Sequence, residues 1–452
     1  MLSRREALAV AAASLPLLGR AAEPELKLAT FEVEVTPPIG HPCMGGGIAP
    51  VKEIIDPLFA HGLIFLGVGQ PLAIVCVDWC EIRNGAYDLW RESIAKAIGT
   101  KRERVLVNAN HQHDAPIADV EAQHLLEEHK TGAAICDLAF LDKAVTRVAK
   151  AAKDALASAQ PLTHVGIGQA KVEKVASNRR YMSEGKPFYN RMSATRDETI
   201  RAAEEGTIDP YLKALSFWNG DKPLAVLHSY STHPMSYYGR GGATADFVGM
   251  ARRQRQSALP GTLMLYASGC SGNTTAGKYN DGATENRAIL AGRMHEGMKN
   301  AWESTKKHPI QLSFRSTTMA LEPRKSKGFS TDELMNRLKV GPRPFDKCLA
   351  ALGLSWKLRC ESGQPVDVPR IDFGAAQYLL MPAESYVEFQ LAAQKLRPDS
   401  FVVVAGYGEC GPGYIPIERA WKENDGNLSD WCWVAEGSEA RMRAAMAKLL
   451  KT

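Results

Sequence analysis

The spacing of apolar positions changes period repeatedly along this chain. The stretches LKLATFEVEV (26–35), GLIFLGVG (62–69) and PLAIVCVDW (71–79) are rich in β-branched residues and bounded by Gly or Pro, so they read as strands. From Tyr87 to Ile98 the period becomes helical, with Trp90, Ile94 and Ile98 on one stripe and Gly99 as the stop. RVLVNANHQH (104–113) returns to strand, 139–157 is an amphipathic helix, and HVGIGQAKV (164–172) is strand again. LKALSFWN and LAVLHSYS form a hairpin across the Gly220-Asp221 turn, and TLMLYAS (262–268) is another buried strand.

The same alternation continues to the end of the chain. Residues 283–302 are helical, IQLSFRSTTMAL (310–321) is strand, AAQYLLMPAESYVEFQLAAQKL reads strand, turn, helix, and FVVVAGYGECGPGYIP runs from strand into a glycine-rich loop. The last helix puts Met442, Ala445, Met446, Leu449 and Leu450 on one face. Strands alternating with helices predict an α/β fold of layered mixed β-sheets flanked by helices. Two stretches lack a period. Ser177 to Asp209 is polar and charged, as a segment folded over a site is, and 322–369 is basic and irregular, an expected insertion with one or two helices. No internal repeat is visible, and a single unit over 23–452 is the simplest reading.

Candidate chemistry gathers where strands end, which is where open α/β sheets place their sites. In an extended strand Val105, Val107, Ala109, His111 and His113 share one face, so the two histidines meet one environment, either a metal or a pair of packed rings. His233 follows a strand and precedes Pro234, Glu384 lies at a strand-to-helix turn, and Tyr414 lies in the glycine-rich loop. Two imidazoles, a carboxylate and a phenolate suit a borderline cation such as zinc. ASGCSGNT is not a nucleophile elbow, because the serine is one residue short of GxSxG; Ser271 and Asn273 read as turn residues.

Composition narrows the partners. The chain has 452 residues, 45% hydrophobic and 23% charged, and its net charge of +5 is scattered, so no nucleic-acid partner is indicated. No stretch reaches the roughly 18 apolar residues of a membrane span, so no transmembrane anchor is expected. Residues 1–22, with Arg4-Arg5, a short apolar run and small residues at the end, read as an export signal of the twin-arginine type, which predicts a periplasmic or secreted bacterial protein. Nine cysteines include no CxxC pair, which argues against a thiolate zinc site; Cys348 and Cys360 flank a short helical segment and are candidates for a disulfide in an oxidising compartment, which spacing alone does not establish.

Several blocks occur together: VEVTPPIGHP, ANHQHDAP, SNRR at 177–180, THPMS followed by TADFVG, ASGCSGNTT, MPAES and GYGECGPGYIP. In this order the chain resembles the catalytic domain of the neutral/alkaline ceramidases, zinc amidases that cut the N-acyl bond of ceramide. The resemblance implies that His111, His233, Glu384 and Tyr414 hold Zn2+, that His113 lies beside the bound water and scissile carbonyl, and that Arg179 faces a lipid-like or small-molecule N-acyl substrate. It departs at Gly411, where the family usually has a tyrosine, and at Thr275, where many members have serine. Asp246 is expected either to orient His233 or another polar group near it, or to cap the helix that follows, and Thr275 at most to line the pocket. For Arg179 the alternative is a solvated loop charge, and for Tyr414 a packed aromatic. An esterase or carbohydrate deacetylase using the same zinc chemistry, and a non-catalytic metal-dependent binding protein, are the other functions this set of residues admits.

Overall fold

The computed structural model describes residues 25–67 and 69–451; the expected export signal lies outside the described residues. Three sheets share one construction. In the first, β1 (Lys27–Glu34), β2 (Phe59–Leu66) and β3 (Leu72–Val77) are successive antiparallel neighbours, and helix α1 (Asn84–Ile98) carries the chain to β4 (Val105–Ala109), parallel to β3. The second repeats this order with β5 (His164–Lys171), β6 (Tyr211–Asn219) and β7 (Lys222–Tyr230), then helix Asp246–Ala258 and parallel β8 (Leu263–Ser268). The third uses β9 (Ser313–Met319), β10 (Val366–Asp372) and β11 (Ala376–Leu380), then helix Val387–Leu396 and parallel β12 (Phe401–Ala405). Each unit closes with a further helix packed on its crossover helix: Leu138–Ala155, Asn286–Glu303 and Ser438–Leu450.

One face of each sheet is turned into a common apolar core. Phe65 of β2, Phe217 of β6 and Phe373, which directly follows β10, meet edge to face or tilted with centroids 5.2, 5.2 and 5.4 Å apart. Such pairs add about 0.5–1.5 kcal/mol each beyond the area they bury. The carboxyl ends of the parallel strand pairs are tied together: Ala109 N–H donates to Tyr407 O at 3.0 Å, Gly406 N–H to Ser268 O at 2.8 Å, and the Ser268 hydroxyl to Asn110 O at 2.7 Å. All three sheets therefore deliver their loops to one place.

The expected strands and helices agree with these ranges, including the Gly220-Asp221 hairpin and the left-handed Gly99 stop, but β10 is an exception: 366–369, expected to belong to an irregular insertion, are strand. Two more expectations are corrected. Regular strand ends at Ala109, because His111 takes a left-handed backbone (φ 69°), so His111 and His113 do not continue the strand face. Cys348 and Cys360 lie on one helix, Pro344–Glu361, and are unpaired, their thiols donating to Ala134 O and Leu321 O. Three turns of helix between two thiols exceed the reach of a disulfide. Within 322–369 the chain forms two helices, Thr331–Val340 and Pro344–Glu361. No helix among the described residues is long and apolar enough to cross a membrane.

Candidate metal centre

Each sheet contributes one donor. His111 follows β4, held by its N–H on Trp79 O (2.9 Å) and its Nδ1 against Cys80 O (3.0 Å), with its ring stacked on Tyr407 at 4.3 Å. His233 follows β7; its Nδ1 faces Ser271 O at 2.7 Å and Thr274 O at 3.1 Å. Glu384 follows β11 and pairs in parallel with Tyr414. His111, Ala383 and Tyr407 all have positive φ (69°, 48° and 57°), left-handed backbone that non-glycine residues hold at sites where the surroundings force it.

The three side chains converge. Glu384 Oε2 is 3.2 Å from His111 Nε2 and 3.0 Å from His233 Nε2, and donor atoms of the three lie within 4.8 Å of one another, all buried. Carbonyl oxygens face both Nδ1 atoms, so each ring keeps its proton there and turns a lone pair at Nε2 toward the carboxylate. His111 Nε2 has no hydrogen-bond partner among the described residues. Two lone pairs and a carboxylate oxygen aimed at one another repel unless a cation lies among them, either a proton on an Nε2 atom or a metal ion. The set fits zinc, which takes nitrogen and oxygen donors and leaves room for a further ligand in hydrolytic sites. The close approach depends on Gly272, where a Cβ would fall 2.1 Å from Glu384 O.

Arg179 is buried at the edge of this cluster. Its Nη1 donates to the Tyr414 hydroxyl (2.6 Å), Gly272 O (3.2 Å) and Asn427 Oδ1 (3.3 Å), and its Nη2 lies 3.2 Å from His233 Nε2. It is thus buried against the cluster and not a solvated loop charge. Tyr414 is held beside the cluster by the same guanidinium and by its pairing with Glu384. His113 packs its ring 5.1 Å from His111 and 4.9 Å from the half-exposed Tyr238, so it is the histidine nearest solvent. Thr275 and Asp246 make hydrogen bonds to residues other than the three donors. The Thr275 hydroxyl bonds Met192 O (3.1 Å), tethering the 177–209 segment, and Asp246 accepts from Ser236 N–H (3.1 Å) rather than from His233. Asp246 is also the first residue of its helix, not the cap.

The electrostatics follow from burial and contact. Burial favours neutral Glu384, but the two imidazoles outweigh it and hold the carboxyl well below its ordinary value. Burial and the Arg179 charge push His233 down to about 4. Burial also opposes charge on His111, yet Glu384 raises it. His113 is held well below its usual value by burial and by its two histidine neighbours, so it is a neutral ring near pH 7.

No family model and no curated protein matches the sequence. Among solved structures, the neutral ceramidase from Pseudomonas aeruginosa superposes with a TM-score of 0.68 at 15% identity, over 95% of this chain and 74% of that one. A ceramidase complexed with C2 gives 0.67 at 14%, over 95% and 75%. The chain has the neutral ceramidase fold. At the point where that family usually carries tyrosine, Gly411 here leaves no room: a Cβ would lie 2.5 Å from Asn84 Oδ1 and 2.7 Å from the Trp356 ring. Five residues that shape the centre escape the sequence reading. The carbonyls of Cys80, Ser271 and Thr274 act through backbone that any residue supplies. Tyr407 reads as one more apolar residue after a strand. Asn427 lies in an unpatterned loop.

Proposed function

We propose that this chain is a zinc-dependent hydrolase that cleaves the N-acyl bond of a lipid-like or small-molecule amide, ceramide or another of that class. The observation that carries the proposal is the convergence of His111 Nε2, His233 Nε2 and Glu384 Oε2, with both Nδ1 atoms facing backbone carbonyls. With Tyr414 these residues would hold Zn2+. The metal, when bound, supplies a water of lowered pKa and polarises the substrate carbonyl. His113, neutral and nearest solvent, accepts the proton of the attacking water or delivers one to the leaving amine nitrogen. Arg179, fixed by Tyr414, Gly272 and Asn427, places a permanent positive charge where negative charge builds on the carbonyl oxygen. The buried walls keep bulk water from competing for these hydrogen bonds. Residues 23–452 form the catalytic unit in this reading, exported under the direction of 1–22.

The test compares His111→Ala with His113→Ala on a panel of N-acyl amides, N-acyl amino acids, esters and acetylated sugars. His111→Ala loses zinc and activity together. His113→Ala keeps zinc and loses turnover by a factor of ~100 to 10,000. Zinc-replete protein that hydrolyses the esters or sugars and none of the amides would overturn the amidase assignment. Full turnover in His113→Ala would return that ring to simple packing.

A further inference from the structure

The three sheets share a construction, so positions can be compared between them. Beyond the third strand of the second unit, His233 lies three residues after Tyr230; in the third unit, Glu384 lies four residues after Leu380. Both face the centre. In the first unit an offset of three from Val77, that of His233, falls on Cys80, whose thiol is buried 3.9 Å from His111 Nδ1. One donor atom each from Cys80, His111 and His113 lies within 4.8 Å of the others. His113 Nδ1 is buried and has no hydrogen-bond partner among the described residues.

We propose that Cys80, His111 and His113 form a second metal site, selective for a thiophilic d10 cation such as Cd2+ or excess Zn2+, that inhibits the first by sharing His111. A thiolate with imidazoles suits soft or borderline ions and disfavours Mg2+ and Ca2+, which prefer oxygen. The ion enters beside Tyr238, which is 36% exposed and packs on His113. Binding releases the Cys80 thiol proton to solvent, and the Cys80 sulfur and His113 take the ion first. For the third bond His111 Nδ1 also releases its proton to solvent and gives up its hydrogen bond to Cys80 O, the contact that aims Nε2 at Glu384. Occupancy therefore disturbs the first centre and takes His113 out of proton transfer at once. Only the inhibitory consequence rests on the hydrolase reading; the binding does not.

The test uses metal-free full chain titrated with CdCl2, read by bound metal per chain and by the near-ultraviolet thiolate-to-cadmium absorbance. Wild type takes two Cd2+ per chain, the second accompanied by the thiolate band. Cys80→Ser takes one and lacks that band, and His113→Gln, which keeps all nine thiols, weakens the second binding at least tenfold. On zinc-loaded protein, each variant is compared with its own activity before cadmium, and wild type alone loses at least tenfold. If no amide is hydrolysed by any form, stoichiometry and absorbance still decide the site. Two equivalents with an undiminished thiolate band in Cys80→Ser, or a single equivalent without the band in wild type, would overturn it. Should Cys80→Ser melt far below wild type, the His113→Gln titration decides alone: an unchanged second binding ends the proposal.

Discussion

Two clusters of buried ionisable groups lie within Coulombic reach of each other, Glu81 of one sensing His111 and Glu384 of the other, and they follow opposite rules. In the first, acceptors meet acceptors: two imidazole lone pairs and a carboxylate oxygen converge, and the opposing donor is a single arginine at the rim. In the second, nearly every acceptor meets a donor. Arg83 pairs with Glu81 (2.7 Å) and Asp119 (3.3 Å) and donates to Gly411 O (2.8 Å); Asn84 and Ser355 complete Asp119 at 2.9 and 2.7 Å; Arg359 pairs with Asp88 (2.8 Å). A matched network holds a fold together and asks for nothing more. A cluster of unmatched acceptors asks for a cation. Burial and charge alone do not separate the two; the balance of donors and acceptors does.

The largest effect comes from the unmatched cluster. Glu384→Gln keeps the shape of the side chain but replaces the anionic ligand oxygen, and chelation removes the cation altogether. Both should take hydrolysis below detection, and chelation should lower the melting temperature, since a ligand bound only to the folded state stabilises it. Elemental analysis and thermal melts check this; a Glu384→Gln variant with full zinc and full turnover would remove the carboxylate from the centre.

The matched cluster should respond in the other currency, stability. Arg83→Met leaves Glu81 and Asp119 buried without their cation, a loss of about 3–5 kcal/mol for a broken buried pair. Denaturant unfolding measures it, and zinc content per folded chain stays at the wild-type value. A variant as stable as wild type with depleted zinc would mean that this network serves the metal and not the fold.

Much of this was legible in the sequence, for definite reasons. Period-two stretches and glycine stops placed the strands, and their ends placed His111, His233, Glu384 and Tyr414, because side-chain type and position survive in one dimension. The threefold construction was not legible. Phe65, Phe217 and Phe373 lie near or just past the end of the second strand of each unit, but their sequence neighbours differ, so no repeat appears in the text of the chain. His111 was placed on a strand face because alternation cannot report a positive φ. Asp246 and Thr275 have the right chemistry for a site, yet Ser236 and Met192 occupy them. Contacts between segments a hundred residues apart leave no local trace.

One acid of the matched cluster is incompletely served, which predicts a pH effect. Glu409 Oε1 accepts from Asn84 N–H (2.7 Å) and Gly411 N–H (2.8 Å), but Oε2 is buried without a hydrogen bond, 3.5 Å from Arg359. Burial raises this carboxyl from 4.5 to about 7, against the pull of Arg359. The folded state thus binds a proton more tightly than the unfolded state, so its contribution is favourable below pH 4.5 and is lost as pH rises to about 7. A shift of that size corresponds to roughly 3 kcal/mol as an upper figure. Glu409→Gln should flatten stability over this window relative to wild type; parallel curves for the two proteins from pH 4.5 to 7 would refute the assignment.

The smallest effect should come from Asn427, which links the loop to the centre. The short 3-10 turn Gly426–Leu428 is capped by Asp425, whose side chain accepts from Asn427 N–H (2.9 Å) and Nδ2 (2.6 Å) and from the Tyr386 hydroxyl (2.5 Å). Asn427 Oδ1 is thereby fixed to receive Arg179 Nη1 at 3.3 Å. That bond is long and Arg179 keeps Gly272 O and Tyr414, so Asn427→Ala should leave the guanidinium in place but less narrowly held. We expect turnover to fall about tenfold, near 1.4 kcal/mol, with zinc content and melting temperature unchanged and KM little affected. A lower melting temperature with unchanged turnover would make Asn427 a loop support only. A fall in zinc content would instead show that the loop closes the metal centre itself.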